Sequence, residues 1–157
     1  MTAARNPDEL DELLALDNQL CFALYAASRA LMRTYRPLLD PLGLTYPQYL
    51  VMLVLWEWQR EPPQHPGVKA LGERLQLDSG TLTPLLKRLE TQGLVQRERV
   101  KGGDERQLQV SLTAAGERLR EQAGDVPRAL MCSTGMSKEQ VMVLRSGLDQ
   151  LLRELQE

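Results

Sequence analysis

Two cysteines, Cys21 and Cys132, are the residues of this 157-residue chain best suited to covalent chemistry. A thiolate is a nucleophile, whereas free cysteine packed among apolar side chains is only a small hydrophobe. The two match neither a zinc-ligand spacing nor a Cys-x-x-Cys redox motif. The single histidine, His65, stands alone in a proline-rich loop. No metal-ligand cluster, no phosphate-cradling glycine loop and no assembly of nucleophile, base and oxyanion donors is evident, so neither enzymatic turnover nor a cofactor is expected.

A second group of residues suits a polyanion. Leu82, Leu85, Leu86 and Leu89 recur at helical spacing, which leaves Gly80, Thr83, Pro84 and Lys87 on the opposite face, flanked by Ser79, Thr81, Arg88 and Thr91. Short hydroxyl side chains and cations on one helix face suit a DNA major groove, where Lys and Arg hold phosphates and small residues permit close approach. Taken alone, such a helix is more often a solvated amphipathic one, and the hairpin that follows shifts the balance. Arg97, Arg99, Lys101 and Arg106 follow it, around a Gly102-Gly103 tip slim enough for a minor groove. Asp104 and Glu105 oppose that charge, unless Asp104 orients Arg106.

The elements that must position these residues are mostly helical. Apolar residues make up 43% of the chain but aromatics only 4%, so leucine and alanine build the core. Leu10, Leu13, Leu14, Leu20, Leu24, Leu31 and Met32 predict one long helix from Asp8 to Tyr35, ended by Pro37. Thr45 and Gln48 form a capping box that opens a second helix over 46–59, apolar on nearly every face and therefore central. The loop EPPQHPG stops regular structure. Val68, Leu71 and Leu75 then mark a short helix, a turn at Gln76-Leu77-Asp78 leads into the helix starting near Ser79, and Gly93 ends it. Pro84 is tolerable if it falls within about the first turn of that helix. Leu108, Val110 and Leu112 alternate with polar residues, predicting a strand paired with Val95 to Val100. Thr113 caps a helix to about Ala123, and Ser137 with Gln140 caps a last one bearing Val141, Leu144, Leu148, Leu151, Leu152 and Leu155.

Helix, turn, helix and β-hairpin in this order is a winged helix-turn-helix. The expected fold is thus mainly α with a small β-hairpin wing. One domain over 1–157 is expected, with DNA-binding in 67–112 and dimerisation and sensor helices in 8–60 and 113–157. Broad apolar stripes on the terminal helices require a partner surface, and a second copy is the simplest one. The net charge of −2 conceals an asymmetry, because five carboxylates against Arg5 in residues 1–20 leave +2 for the remainder. No apolar run is long enough to span a bilayer and no signal core opens the chain, so a cytoplasmic location without membrane is expected.

The segment GVKALGERLQLDSGTLTPLLKRLETQGLVQRERVKGGDERQLQVSLTAAG resembles the MarR family of bacterial winged-helix regulators, its Asp104-x-Arg106 wing and Leu112-Thr113 especially. More narrowly, LCFALYAASRALMRTYRPLLDPLGLTYPQYLVMLVLWE is similar to the OhrR branch of organic hydroperoxide sensors. The loop QREPPQHPGV departs from that pattern by its length and prolines. The resemblance implies a dimeric repressor of a pseudo-palindromic double-stranded operator, induced by an organic hydroperoxide. It further implies that Cys21 is the sensor, that Tyr35 and Tyr46 hold it, and that Cys132 captures the oxidised sensor as an intersubunit disulfide. Tyr35 lies about 21 Å from Cys21 along a continuous helix at ~1.5 Å per residue, which agrees with a site shared between subunits. Three other readings stand beside it: a repressor relieved by a small aromatic ligand without redox chemistry, a thiol peroxidase, and a helical dimerisation module that binds no DNA.

Overall fold

The computed structural model describes residues 7–99 and 108–156. Polar side chains near the chain start decide where the first helices break. Asn18 Nδ2 donates to the Glu12 carbonyl (2.8 Å) and Gln19 Nε2 to that of Leu13 (2.7 Å), taking carbonyls that a continuous helix would use. The single helix expected from Asp8 to Tyr35 is therefore two, α1 (Pro7–Leu14) and α2 (Leu20–Leu39), separated by a 3-10 turn at Leu16–Asn18. Pro37 does not end α2, which runs on to Leu39. It forgoes one ladder bond near the helix end, where little depends on it.

Helix α3 (Tyr46–Trp58) begins where expected, with the Thr45 N–H donating to Gln48 Oε1 at 2.9 Å. It is the centre of the fold: Tyr49, Val51, Met52, Val54, Leu55 and Trp56 are all buried. Leu71 of α4 (Val68–Leu75), Leu82, Leu86 and Leu89 of α5 (Ser79–Thr91), and Val95 and Val110 of the hairpin complete the same core. Strands β1 (Val95–Arg99) and β2 (Leu108–Leu112) pair antiparallel, Val95 opposite Leu112 and Arg99 opposite Leu108. The proline-rich loop ends by stitching onto this pair, since the Val110 N–H donates to the Pro66 carbonyl at 3.1 Å and Gly67 bridges Gln109.

Two glycines set the angle between α4 and α5 and the seat of the next helix. A Cβ on Gly72 would approach the Leu77 carbonyl oxygen to 2.8 Å, so only glycine lets the chain turn this tightly. Helix α6 (Ala114–Ala123) is capped by Thr113, whose Oγ1 accepts from the Gly116 N–H at 3.1 Å. Gly116 lies so close under the Leu94 carbonyl that no side chain fits, and its own carbonyl accepts the indole N–H of Trp56 at 2.9 Å. Helix α5 ends at a left-handed Gly93 (φ 72), with Gly93 and Leu94 donating to the carbonyls of Glu90 and Leu89.

The segment around Cys132, unpatterned in sequence, is a helix, α7 (Val126–Thr134), bounded by Pro127 in its first turn and a left-handed Gly135. Helix α8 (Lys138–Gln156) follows its Ser137–Gln140 capping box, with bonds of 2.8 and 3.2 Å. The fold class and the helix-turn-helix and hairpin order are those expected, whereas the split of the first helix and helix α7 are not. Among the described residues, no single helix is long and apolar enough to cross a membrane.

Candidate nucleic-acid interface and redox site

Burying its four leucines turns the other side of α5 outward. Ser79, Thr81, Thr83, Lys87 and Arg88 are all exposed on or beside that face. Its first turn is held by Asp78, whose Oδ1 accepts the Thr81 N–H at 2.8 Å and whose Oδ2 accepts the Thr81 hydroxyl at 3.2 Å. These bonds, the backbone one first, keep the Asp78 carboxyl below its ordinary range and hence ionised. Thr81 therefore serves the cap, while Thr83 and Lys87 keep the outer face. Pro84 lies beyond the first turn, because α5 starts at Ser79.

The hairpin brings a correction. Arg97, expected among the DNA-facing basic residues of the wing, is instead paired, its guanidinium bound to Glu90 at 2.6 and 3.0 Å. That contact lowers the Glu90 carboxyl and braces β1 against the last turn of α5. The signal was available in sequence as opposite charges seven residues apart across the Gly93 turn. Arg99 is exposed. Lys101, Arg106, Asp104 and Glu105 lie outside the described residues.

Cys21 stands in the first turn of α2 and Cys132 in α7, both as free, exposed thiols. Tyr35 and Tyr46 are together, at the opposite end of α2 and the first residue of α3, with ring centroids 4.7 Å apart. Tyr49 joins them at 6.1 Å from Tyr35. Burial, with the neighbouring Tyr46 and Tyr49, pushes the Tyr35 phenol up to about 12. Burial raises Tyr46 and Tyr49 as well. These phenols are O–H donors at neutral pH. One protomer does not deliver Cys21 to them, since about 21 Å of helix at ~1.5 Å per residue intervenes.

On α2 itself, Tyr25 and Arg29 lie one and two turns beyond Cys21. Tyr25, one turn on, accepts a hydrogen bond from Arg29 Nη1 at 3.0 Å, and the guanidinium lies 5.4 Å from the ring centre. A separate cleft of about 890 Å³ opens between the proline-rich loop, α5 and the wing, with His65, Thr83, Leu86 and Arg97 in its wall. Among the described residues, no group of His, Cys, Asp and Glu could hold a metal ion.

Residues 33–122 match the family model described as transcriptional regulator SarA/Rot. The organic hydroperoxide resistance transcriptional regulator of Bacillus subtilis (strain 168) is 49% identical over 142 residues, 90% of this chain and 92% of that one. Among solved structures, reduced AbfR bound to DNA is similar with a TM-score of 0.72 and 41% identity, over 94% of this chain and 99% of that chain. Disulfide-formed AbfR gives 0.62 and 39%, over 97% and 100% of the two chains. AbfR has also been crystallised from Staphylococcus epidermidis. By sequence and fold together, this chain belongs to the SarA/Rot family of MarR-like winged-helix transcriptional regulators.

Proposed function

We propose that this chain is a cytosolic, homodimeric repressor that leaves its operator when an organic hydroperoxide oxidises Cys21. The observation that carries the reading is the pre-assembled pair Tyr35 and Tyr46, packed at 4.7 Å and separated from Cys21 by most of α2. An antiparallel partner helix would set each Cys21 against the other subunit's phenols. In chemical terms the Cys21 thiolate attacks one peroxide oxygen, the O–O bond breaks, an alcohol leaves and a sulfenic acid remains. The Cys132 thiol of the other subunit then attacks that sulfur, forming a disulfide and releasing water. Each subunit reacts once, so this is signalling and not turnover.

Residues 67–112 form the DNA-reading part in this account, with Ser79, Thr81, Thr83, Lys87, Arg88 and the wing's Arg106 at the duplex. Residues 8–60 and 113–157 form the dimer and the sensor. Support comes from the names of relatives, one an organic hydroperoxide resistance regulator and one solved both on DNA and as a disulfide. The test is operator binding before and after cumene hydroperoxide, with non-reducing electrophoresis of the same sample. Wild type should lose DNA and form a covalent dimer, whereas Cys21→Ser should bind DNA and ignore the oxidant. Release of Cys21→Ser by peroxide would sink the redox reading. The second reading, relief by a small aromatic ligand, is favoured by the cleft beside α5, whose wall includes His65, Thr83 and Leu86. On that account a ligand would release wild type and Cys21→Ser equally.

A further inference from the structure

A ring of hydrogen bonds joins the α2–α3 corner to the end of α5, and the chemistry above gives it no role. Gln48, in the first turn of α3, is a polar residue inside the core, 4% exposed. Its Oε1 accepts from the Thr45 N–H (2.9 Å) and the Thr45 hydroxyl (3.2 Å). Its Nε2 donates to Gln92 Oε1 at a longer 3.4 Å, and Gln92 Nε2 donates in turn to the Gly43 carbonyl at 2.8 Å. Gly43 is left-handed (φ 66) at the turn that aims α3. Gln92 is the C-terminal cap residue of α5. The ring therefore ties residues 43–45, immediately before Tyr46, to the last turn of the DNA-reading helix.

A buried amide is costly unless its donor and acceptor are both used, so Gln48 specifies one placement of α5 against the corner. An apolar side chain would fill the same space without fixing direction. We propose that Gln48 and Gln92 are positioning residues that couple the corner bearing Tyr35 and Tyr46 to the tilt of α5. This rests on the redox reading: a change at the phenols displaces the first turn of α3, and the ring carries that displacement across the core.

The test uses the full-length dimer and the Gln92→Met variant, whose altered side chain is exposed. Operator Kd is measured for the reduced protein and after cumene hydroperoxide, alongside Tm and disulfide yield. The expected result is a reduced-state Kd close to wild type and an unchanged disulfide yield, with the oxidised-to-reduced Kd ratio smaller by roughly five- to tenfold. A merely structural role would lower Tm or shift both Kd values alike; an unchanged ratio overturns the proposal. Gln48→Met should reduce the ratio similarly, and the double variant no further, because one broken link opens the ring. Additive losses would overturn a shared path. Should Gln48→Met fail to fold, Gln92→Met decides alone. Wild type that keeps its DNA with Cys21 fully oxidised would overturn the redox reading and the coupling with it, a failure seen in a different arm from that of the variants.

Discussion

A phenol with a pKa of about 12 is protonated throughout the physiological range, which makes Tyr35 a standing donor and not a switch. The same property has a stability consequence whose sign is definite. The folded chain holds the Tyr35 proton more tightly than the unfolded chain, where a phenol titrates near 10, so its contribution is complete below about pH 10 and lost as pH rises towards 12. Thermal melts from pH 9 to pH 12 should therefore show Tm falling over the upper part of that range. Tyr35→Phe keeps the ring against Tyr46 and should flatten the fall; an equally steep fall in the variant would mean that another group is responsible. What could be read from the sequence here was the identity of the tyrosines. Their meeting could not, because it depends on the left-handed Gly43 turning α3 back over the end of α2.

Helix α5 is placed by its ends as much as by its leucines. Asp78 fixes the start, and at the other end Gly116 of α6 sits beneath the Leu94 carbonyl. A methyl at Gly116 would strike that backbone oxygen and crowd the Leu112 side chain, and the backbone turn between α5 and β1 cannot yield cheaply. Gly116→Ala should cost about 2–3 kcal/mol, the range of overpacking, and lower Tm by roughly 5–10 °C. Differential scanning calorimetry checks this, and a loss under about 0.5 kcal/mol, as for an ordinary surface change, would show that α6 is not seated beneath the turn between α5 and β1 in this way. The helix-turn-helix and hairpin were legible because each boundary has a local cause, such as the Asp78 cap, the Gly93 ending or the strict alternation of β2. The break between α1 and α2 was not, since Asn18 and Gln19 act on carbonyls six residues back. Helix α7 escaped because nine residues with one buried side chain carry almost no periodic signal. The partner of Arg97 is not legible in the same way, because a basic residue beside a wing serves a phosphate or a carboxylate equally well until its neighbour is known.

At the scale of the molecule, the apolar surface left uncovered is the strongest argument for a second copy. Helix α8 spans 19 residues without burying one, and Met142, Val143, Leu144, Leu152 and Leu155 remain exposed on it. On α1 and α2 the same holds for Leu10, Leu13, Leu14, Leu20 and Phe22. A monomer in water would carry that surface at a cost on the order of 25 cal/mol per Å², whereas a two-fold partner removes it. Two-fold symmetry also sets the spacing of the reading helices, so paired half-sites about 10 bp apart, or a multiple of that, are the matching operator. Leu144 and Leu155, eleven residues apart, share one exposed face of α8. The double change Leu144→Glu and Leu155→Glu should give a monomer by sedimentation while leaving the helical content by circular dichroism close to wild type. Its affinity for a single half-site should change little, but affinity for the paired operator should fall by roughly a hundredfold or more, because linked binding of the second half-site is lost. A variant that remains dimeric, or a monomer that holds the paired operator as tightly as wild type, would place the dimer interface elsewhere or separate it from DNA recognition altogether.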